Sequence, residues 1–254
     1  MGKIEIHEKT LMQELAIRKV ISIEDAIRLL GVSESTVRRL FLKLEETGAC
    51  IRGHGSICMI DNGFMNAYTY ESANHSEAAK KERIAEKAID LINNGDVIYL
   101  DTGTTVARLA VRLADALRDN RLRDLMIFTN SLMNLNVLKE YGQVVVIGGM
   151  YRDYRKDFCG TITESVIRSI CYNKCFIGTD GYVNDVGFVA TDFQTAAVEQ
   201  AVIANSKEKY ILADSKKFSK RSVACFAKDS DITAIVTDDP EKLSFLKERN
   251  VRII

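Results

Sequence analysis

The stretch Gly31-Val32-Ser33-Glu34-Ser35-Thr36-Val37-Arg38-Arg39, continued by Leu40, Phe41 and Leu44, decides how the first part of this chain folds. Ser33 follows a Gly-Val turn and suits a helix N-cap, where a side-chain oxygen accepts from a free amide of the first turn. Val37, Leu40, Phe41 and Leu44 recur at helical spacing, which buries one face and leaves Ser35, Arg38, Arg39 and Lys43 on the other. Upstream, Ile23, Ala26, Ile27 and Leu30 share that spacing, so two short amphipathic helices meet across Gly31-Val32. Such a pair occurs in many helical domains. It is also the helix-turn-helix pattern, whose second helix enters the major groove of DNA with its N-terminal residues against base edges.

The next residues narrow the reading. Glu46-Thr47-Gly48 stops the helix, and two short β-prone runs, from Ala49 and up to Met59, flank a Gly53-His54-Gly55 turn. Such a hairpin is the wing of a winged helix, with Arg52 and His54 at its tip to reach phosphate or the minor groove. From Leu11 to Met59 the chain resembles the DeoR-type winged helix-turn-helix. Val32, Ser33, Thr36, Arg38, Arg39, Leu44, Glu45, Gly48, Arg52, His54 and Gly55 carry the resemblance, while Leu40 and Ser56-Ile57 depart from the family pattern. It implies a DNA-binding surface of Ser33, Ser35, Thr36, Arg38, Arg39, Lys43, Arg52 and His54. In it, Arg38 and Arg39 take phosphate or guanine, and the hydroxyls take base or backbone.

Charge advertises no nucleic-acid partner. The 254 residues carry 35 Lys and Arg against 35 Asp and Glu, and the first 60 have nine against eight. A homodimer or homotetramer presenting two recognition helices compensates by doubling the phosphate contacts. No apolar run reaches membrane-spanning length and no signal-peptide layout opens the chain, so a cytoplasmic protein is expected, with no membrane partner. Six cysteines are scattered without a Cys-x-x-Cys pair, which reads as reduced, mostly buried thiols. Cys171 and Cys175 have the spacing of one helical turn, yet no His stands near them. No metal and no cofactor is called for.

Residues 61–76 are polar and lack hydrophobic periodicity, which reads as a linker between a DNA-binding domain (1–60) and a second domain (77–254). Ala79 to Ile92 is predicted as a helix with Ile84, Ala85, Ala88, Leu91 and Ile92 on its inner face and Lys80, Lys81, Glu82, Arg83 and Lys87 toward solvent. A repeated unit follows: an apolar strand, a polar loop, a helix. The strands are Val97–Leu100, Leu125–Phe128, Val144–Ile147, Lys174–Ile177 and Tyr210–Ala213, with further candidates at 234–236 and 251–254. Such alternation predicts a mostly parallel sheet covered on both faces, whose post-strand loops gather at one edge, where ligands of open α/β sheets bind.

Asp101-Thr102-Gly103-Thr104-Thr105 is the sharpest of these loops. A glycine, free helix-start amides and hydroxyl donors suit a phosphate monoester, although an ordinary N-cap has the same composition. Asp101 and Asp180 can accept from sugar hydroxyls and Lys217 can add positive charge, with Asn130 and Arg152 as weaker candidates. This half also resembles the DeoR family, through Asp101-x-Gly103-Thr104-Thr105, Thr129-Asn130, Gly148-Gly149, Gly178-x-Asp180-Gly181 and Asp214-Ser-x-Lys217-Phe218; Lys216 stands where the family usually has Ser. The resemblance implies an α/β sensor domain similar to the sugar-phosphate isomerase fold, binding a phosphorylated sugar. Its effector residues would be Asp101, Gly103, Thr104, Thr105, Thr129, Asn130, Gly148, Gly149, Arg152, Asp180, Gly181 and Lys217. The expectation is a repressor of a carbohydrate-metabolism operon, bound to double-stranded operator DNA and not an enzyme. The alternative is a sugar-phosphate isomerase with an accessory domain, using Asp101 or Asp180 as acid/base.

Overall fold

The computed structural model describes residues 3–18, 20–46, 50–53, 55–59, 69–247 and 249–254. They fall into two compact units, Met1–Ser76 and Glu77–Ile254.

The first unit runs α1 (Lys3–Arg18), β1 (Val20–Ser22), α2 (Ile23–Leu30), α3 (Glu34–Glu46), β2 (Cys50–Gly53), β3 (Ser56–Met59) and α4 (Tyr70–His75). Ser22 caps α2 by accepting from the Asp25 amide at 3.0 Å, and Gly31 ends it at φ 63°, a left-handed conformation that favours glycine. With no more room than that turn allows, α3 starts at Glu34. The β2–β3 hairpin is joined on its β3 side by β1, giving an antiparallel sheet in the order β1-β3-β2. Leu11, Leu15, Ile21, Ala26, Val37, Leu40, Phe41, Leu44 and Ile57 pack into one core. This is a winged helix, and its strand β1 is too short for periodicity to reveal. Helix α4 lies within the stretch whose polar composition reads as linker; a helix of 6 residues has too few apolar positions to show a period. The helix stop at Thr47-Gly48, His54 and the linker residues 61–68 lie outside the described residues.

The second unit contains α5 (Ala78–Ile89), β4 (Val97–Leu100), α6 (Thr104–Arg118), β5 (Met126–Thr129), α7 (Leu132–Leu138), β6 (Gln143–Val146), β7 (Met150–Arg152), β8 (Asp157–Cys159) and α8 (Thr161–Arg168). It continues with β9 (Tyr172–Ile177), β10 (Gly181–Val183), β11 (Gly187–Ala190), α9 (Phe193–Ala204), β12 (Ser206–Leu212), β13 (Ala224–Ala227), β14 (Ala234–Val236) and α10 (Ser244–Lys247). Six strands pair in parallel in the order β14-β12-β9-β4-β5-β6. Because side chains alternate across a strand, Ile98 and Leu100 face the core under α5 and α6, while Tyr99 faces the core under α9.

Two features lie outside the parallel pattern: a β10-β11-β13 antiparallel sheet and a β7–β8 hairpin. Residues 251–254 form no strand but a single bridge, Ile253 to Ile235. Cys175 lies within extended β9 and Cys171 just before it, so the two are not one helical turn apart. Cys50, Cys159 and Cys175 are buried, whereas Cys171 is exposed. No helix among the described residues is long and apolar enough to cross a membrane.

Candidate functional site

The first unit presents α3. The Ser33 carbonyl accepts from the amides of Thr36 and Val37 at 3.0 Å each, and its hydroxyl lies 3.0 Å from those of Ser35 and Thr36. Three hydroxyls therefore cluster at the end of the helix that would meet base edges. Arg38 and Arg39 are exposed. Arg38 forks onto Glu34 one turn back, at 2.9 and 2.7 Å, whereas Arg39 makes no ion pair among the described residues. Lys43 and Arg52 are exposed too but serve the fold. Lys43 pairs with Glu8 of α1 at 2.5 Å, and Arg52 is held by Glu45 through both its amide (3.0 Å) and its guanidinium (2.6 Å). The Glu45 carboxyl is lowered by those two bonds, first by the one from the amide. Two of the sequence-expected DNA contacts are thus also struts for α3 and the wing.

In the second unit the chain adds strands to one side of β4 and then returns to add them on the other, so β4 and β9 diverge at a topological switch point. The loop after β4 meets the loop after β9 there. The Asp101 carboxylate accepts from the Gly178 amide at 3.0 Å, and burial pushes its carboxyl up to about 6. Helix α6 begins at Gly103 with no side-chain cap, leaving its first amides without that partner, and Thr104 and Thr105 are buried beside them. Asp180 accepts from the Thr191 amide at 2.9 Å and stands 3.9 Å from Lys217, which reaches over from the loop after β12. Gly181 cannot carry a side chain: an added Cβ would lie 2.3 Å from the Lys220 carbonyl oxygen. Asp101, Gly103, Thr104, Thr105, Asp180, Gly181 and Lys217 therefore converge as the sequence suggests.

The other expected effector residues are occupied in holding the loops. Thr129 is fully buried, donates to the Leu100 carbonyl at 2.7 Å and accepts from the Ser131 amide. Asn130 accepts from the Tyr99 hydroxyl at 2.6 Å and donates to the Phe158 carbonyl at 2.7 Å, so its amide brackets β5 to the hairpin. Gly148 accepts from the Thr163 hydroxyl, and a Cβ on Gly149 would sit 2.1 Å from the same oxygen. Arg152 is the clearest departure. It is 6% exposed, grips Asp157 with two bonds of 2.9 and 2.7 Å, and reaches Asp192 and Thr195 at 3.0 Å each. Arg155 joins the same two carboxylates at 3.5 Å. Arg152 is a buried ionic keystone between the hairpin and the start of α9.

Several buried charged residues are not legible as such in the sequence, Asp157 among them. Arg155 sits in a polar run, 152–157, that looks like a solvated turn. Glu199 is 4% exposed on α9, and burial, then the charges of Asp101 and Asp180, hold its carboxyl well above the usual range. Lys81, expected in solvent, is 4% exposed. Its signal was available: it stands three and seven residues before Ile84 and Ala88, on the buried stripe of α5.

Comparison with known proteins agrees with both halves. A family model described as a DeoR-like helix-turn-helix domain matches residues 8–62, and one described as a DeoR C terminal sensor domain matches residues 76–239. An uncharacterized HTH-type transcriptional regulator of Bacillus subtilis is 30% identical over 92% of this chain and 91% of its own length. A lactose phosphotransferase system repressor of Streptococcus mutans is 31% identical over 91% of each. Among solved structures, ribose 5-phosphate isomerase A of Methanocaldococcus jannaschii matches 56% of this chain and 55% of its own at 20% identity and a TM-score of 0.43. The winged-helix unit and the α/β unit are thus both matched, along nearly the whole length of these regulators, and the chain belongs to the DeoR family of transcriptional regulators.

Proposed function

We propose that this regulator represses a carbohydrate-metabolism operon and that a phosphorylated sugar, bound in the crevice between the β4 and β9 loops, controls its hold on the operator. The observation that carries this is the meeting of those two loops at the switch point of the sheet. An uncapped helix start, Lys217 and buried hydroxyls supply donors for a phosphoryl group, and Asp101 and Asp180 supply acceptors for sugar hydroxyls. The relatives named as lactose phosphotransferase system repressors favour the same reading. It acts in the cytoplasm as a dimer or tetramer, so that two α3 helices face half-sites about one turn, roughly 34 Å, apart or a multiple of that. Ligand and DNA are linked by a coupling of about 1–3 kcal/mol.

A thermal-shift panel of sugar phosphates, matched free sugars and inorganic phosphate tests the crevice, because a ligand that binds only the folded state raises Tm. A phosphate ester that stabilises, while its free sugar does not, is the expected result. Adding that ester to an operator-bound sample should change the anisotropy of labelled DNA. Turnover of the ester without effect on DNA would favour an isomerase instead.

A further inference from the structure

Strand β6, Gln143-Val144-Val145-Val146, forms one edge of the six-stranded sheet. The two edges of that sheet differ. Beyond β14 the last residues run alongside: Ile254 donates to the Ile235 carbonyl at 2.8 Å, and Ile235 and Thr237 donate to the carbonyls of Arg252 and Ile254 at 2.9 and 3.0 Å. Beyond β6 no strand pairs among the described residues. The Ile147 amide donates to the Thr129 carbonyl at 2.8 Å, toward β5, and backbone groups alternate along a strand. The amides and carbonyls of Val144 and Val146 therefore point away from the sheet, and they meet no hydrogen-bond partner among the described residues. Such an edge is ordinarily protected by a charged side chain, a proline or a bulge, and β6 has none of these. Val145 is 37% exposed, and more apolar side chains stand open around it. Met126 pairs with Gln143 from β5, Tyr141 lies just before the strand, and Met150 and Tyr151 lie just after it.

We propose that β6 is the seam between two copies of this chain, paired antiparallel about a two-fold axis so that the sheet continues from one copy into the other. This rests on the reading of the regulator as a dimer or tetramer and names the surface that joins it. Three properties point to a second copy as the occupant. The edge is self-complementary: with Val145 at the axis, Val144 of each copy faces Val146 of the other, and each such pair exchanges both backbone bonds. The strand carries no charge, so identical copies meet there without like-charge repulsion. A strand of 4 residues does not by itself supply the roughly 800 Å² that each partner of a stable interface buries, and Met126, Tyr141, Met150 and Tyr151 add apolar surface at both of its ends.

Sedimentation velocity of the full chain at micromolar concentration reads the assembly. The wild type should sediment as a dimer or tetramer. Val145→Glu sets two carboxylates against each other at the axis and should sediment at half that mass, with the dissociation constant raised at least tenfold and the far-ultraviolet circular dichroism unchanged. A second variant keeps the seam testable should Val145→Glu fail to fold. A residue facing its own copy in a non-hydrogen-bonded antiparallel pair lies about 4.5 Å from it between Cα atoms, a separation that a disulfide spans. With the exposed Cys171 replaced by Ser, mild oxidation should link two Val145→Cys chains, whereas Gln143→Cys, which faces Ile147, should stay unlinked. A folded Val145→Glu of wild-type mass, or a Val145→Cys that links no better than Gln143→Cys, overturns the β6 seam and leaves the dimer or tetramer reading intact. A monomeric wild type, which would leave this edge to a strand of some other protein, overturns both.

Discussion

Replacing Arg152 by Met separates a structural role from a ligand-binding one. The guanidinium makes three bonds of 2.7–3.0 Å to two carboxylates, one of which, Asp157, is 1% exposed. Removing one partner of a buried ion pair leaves an uncompensated charge and costs about 3–5 kcal/mol. Arg155, 3.5 Å from both carboxylates, takes up part of the loss and places the expected cost near 3 kcal/mol. In a unit the size of Glu77–Ile254, each kcal/mol moves Tm by about 2–4 °C, so a fall of about 6–12 °C is expected by calorimetry at pH 7. The pH dependence supplies the sign. Burial alone raises the Asp192 carboxyl, but Arg152 and then Arg155 more than offset it and hold it below the usual range. A depressed carboxylate adds stability above its unfolded pKa of about 4, and that stability is lost as pH falls through the folded value. The gap between variant and wild type is therefore widest at neutral pH and narrows toward pH 4 and below. A variant that melts within 2 °C of the wild type but no longer responds to a phosphate ester would refute the keystone and restore Arg152 to the ligand.

Arg39→Ala should weaken operator binding and lower the slope of log affinity against log salt by about one, read by anisotropy from 50 to 200 mM salt. Arg52→Ala should also lower the melting temperature of the first unit slightly, since it removes the guanidinium bond to Glu45 and leaves only the one from the Arg52 amide. Asp101 should titrate near pH 6 by carboxyl NMR; because its folded value is raised, its contribution to stability is full below about pH 4 and lost as pH rises through 6. Gly181→Ala should destabilise the second unit by more than 1 kcal/mol in urea unfolding, its Cβ meeting the Lys220 backbone; a loss below 0.5 kcal/mol would mean that loop yields freely.

The elements that announced themselves in sequence are those whose burial is periodic. Val37, Leu40, Phe41 and Leu44 gave α3 its register, and runs such as Val97–Leu100 are apolar because a central parallel strand is covered on both faces. What stayed hidden is what periodicity does not report. Strands of three residues, β1 and β10 among them, offer no period, and in the β7–β8 hairpin the buried Arg152–Asp157 ion pair stands beside a Tyr151–Phe158 ring contact. Arg152 and Asp192 are 40 residues apart, and only folding brings them together. Thr129 and Asn130 stand at the expected edge, and their bonds to neighbouring loops are a task that one dimension does not show, because a polar residue after a strand reads the same whether it serves a ligand or a loop. Lys81 was misplaced for the opposite reason: its charge outweighed its position on the stripe.

The strand order has a consequence for how the chain is made. Strand β4 lies inside the sheet and precedes the other five; β5 and β6 then attach outward on one flank, and β9, β12 and β14 outward on the other. Every arriving strand finds a free edge, and none has to wedge between two already joined. The second unit can therefore assemble as it leaves the ribosome, growing from a seed. The β4–β9 seam closes only after the first flank and the β7–β8 hairpin have been synthesised, so the loops after β4 and β9 meet late in translation.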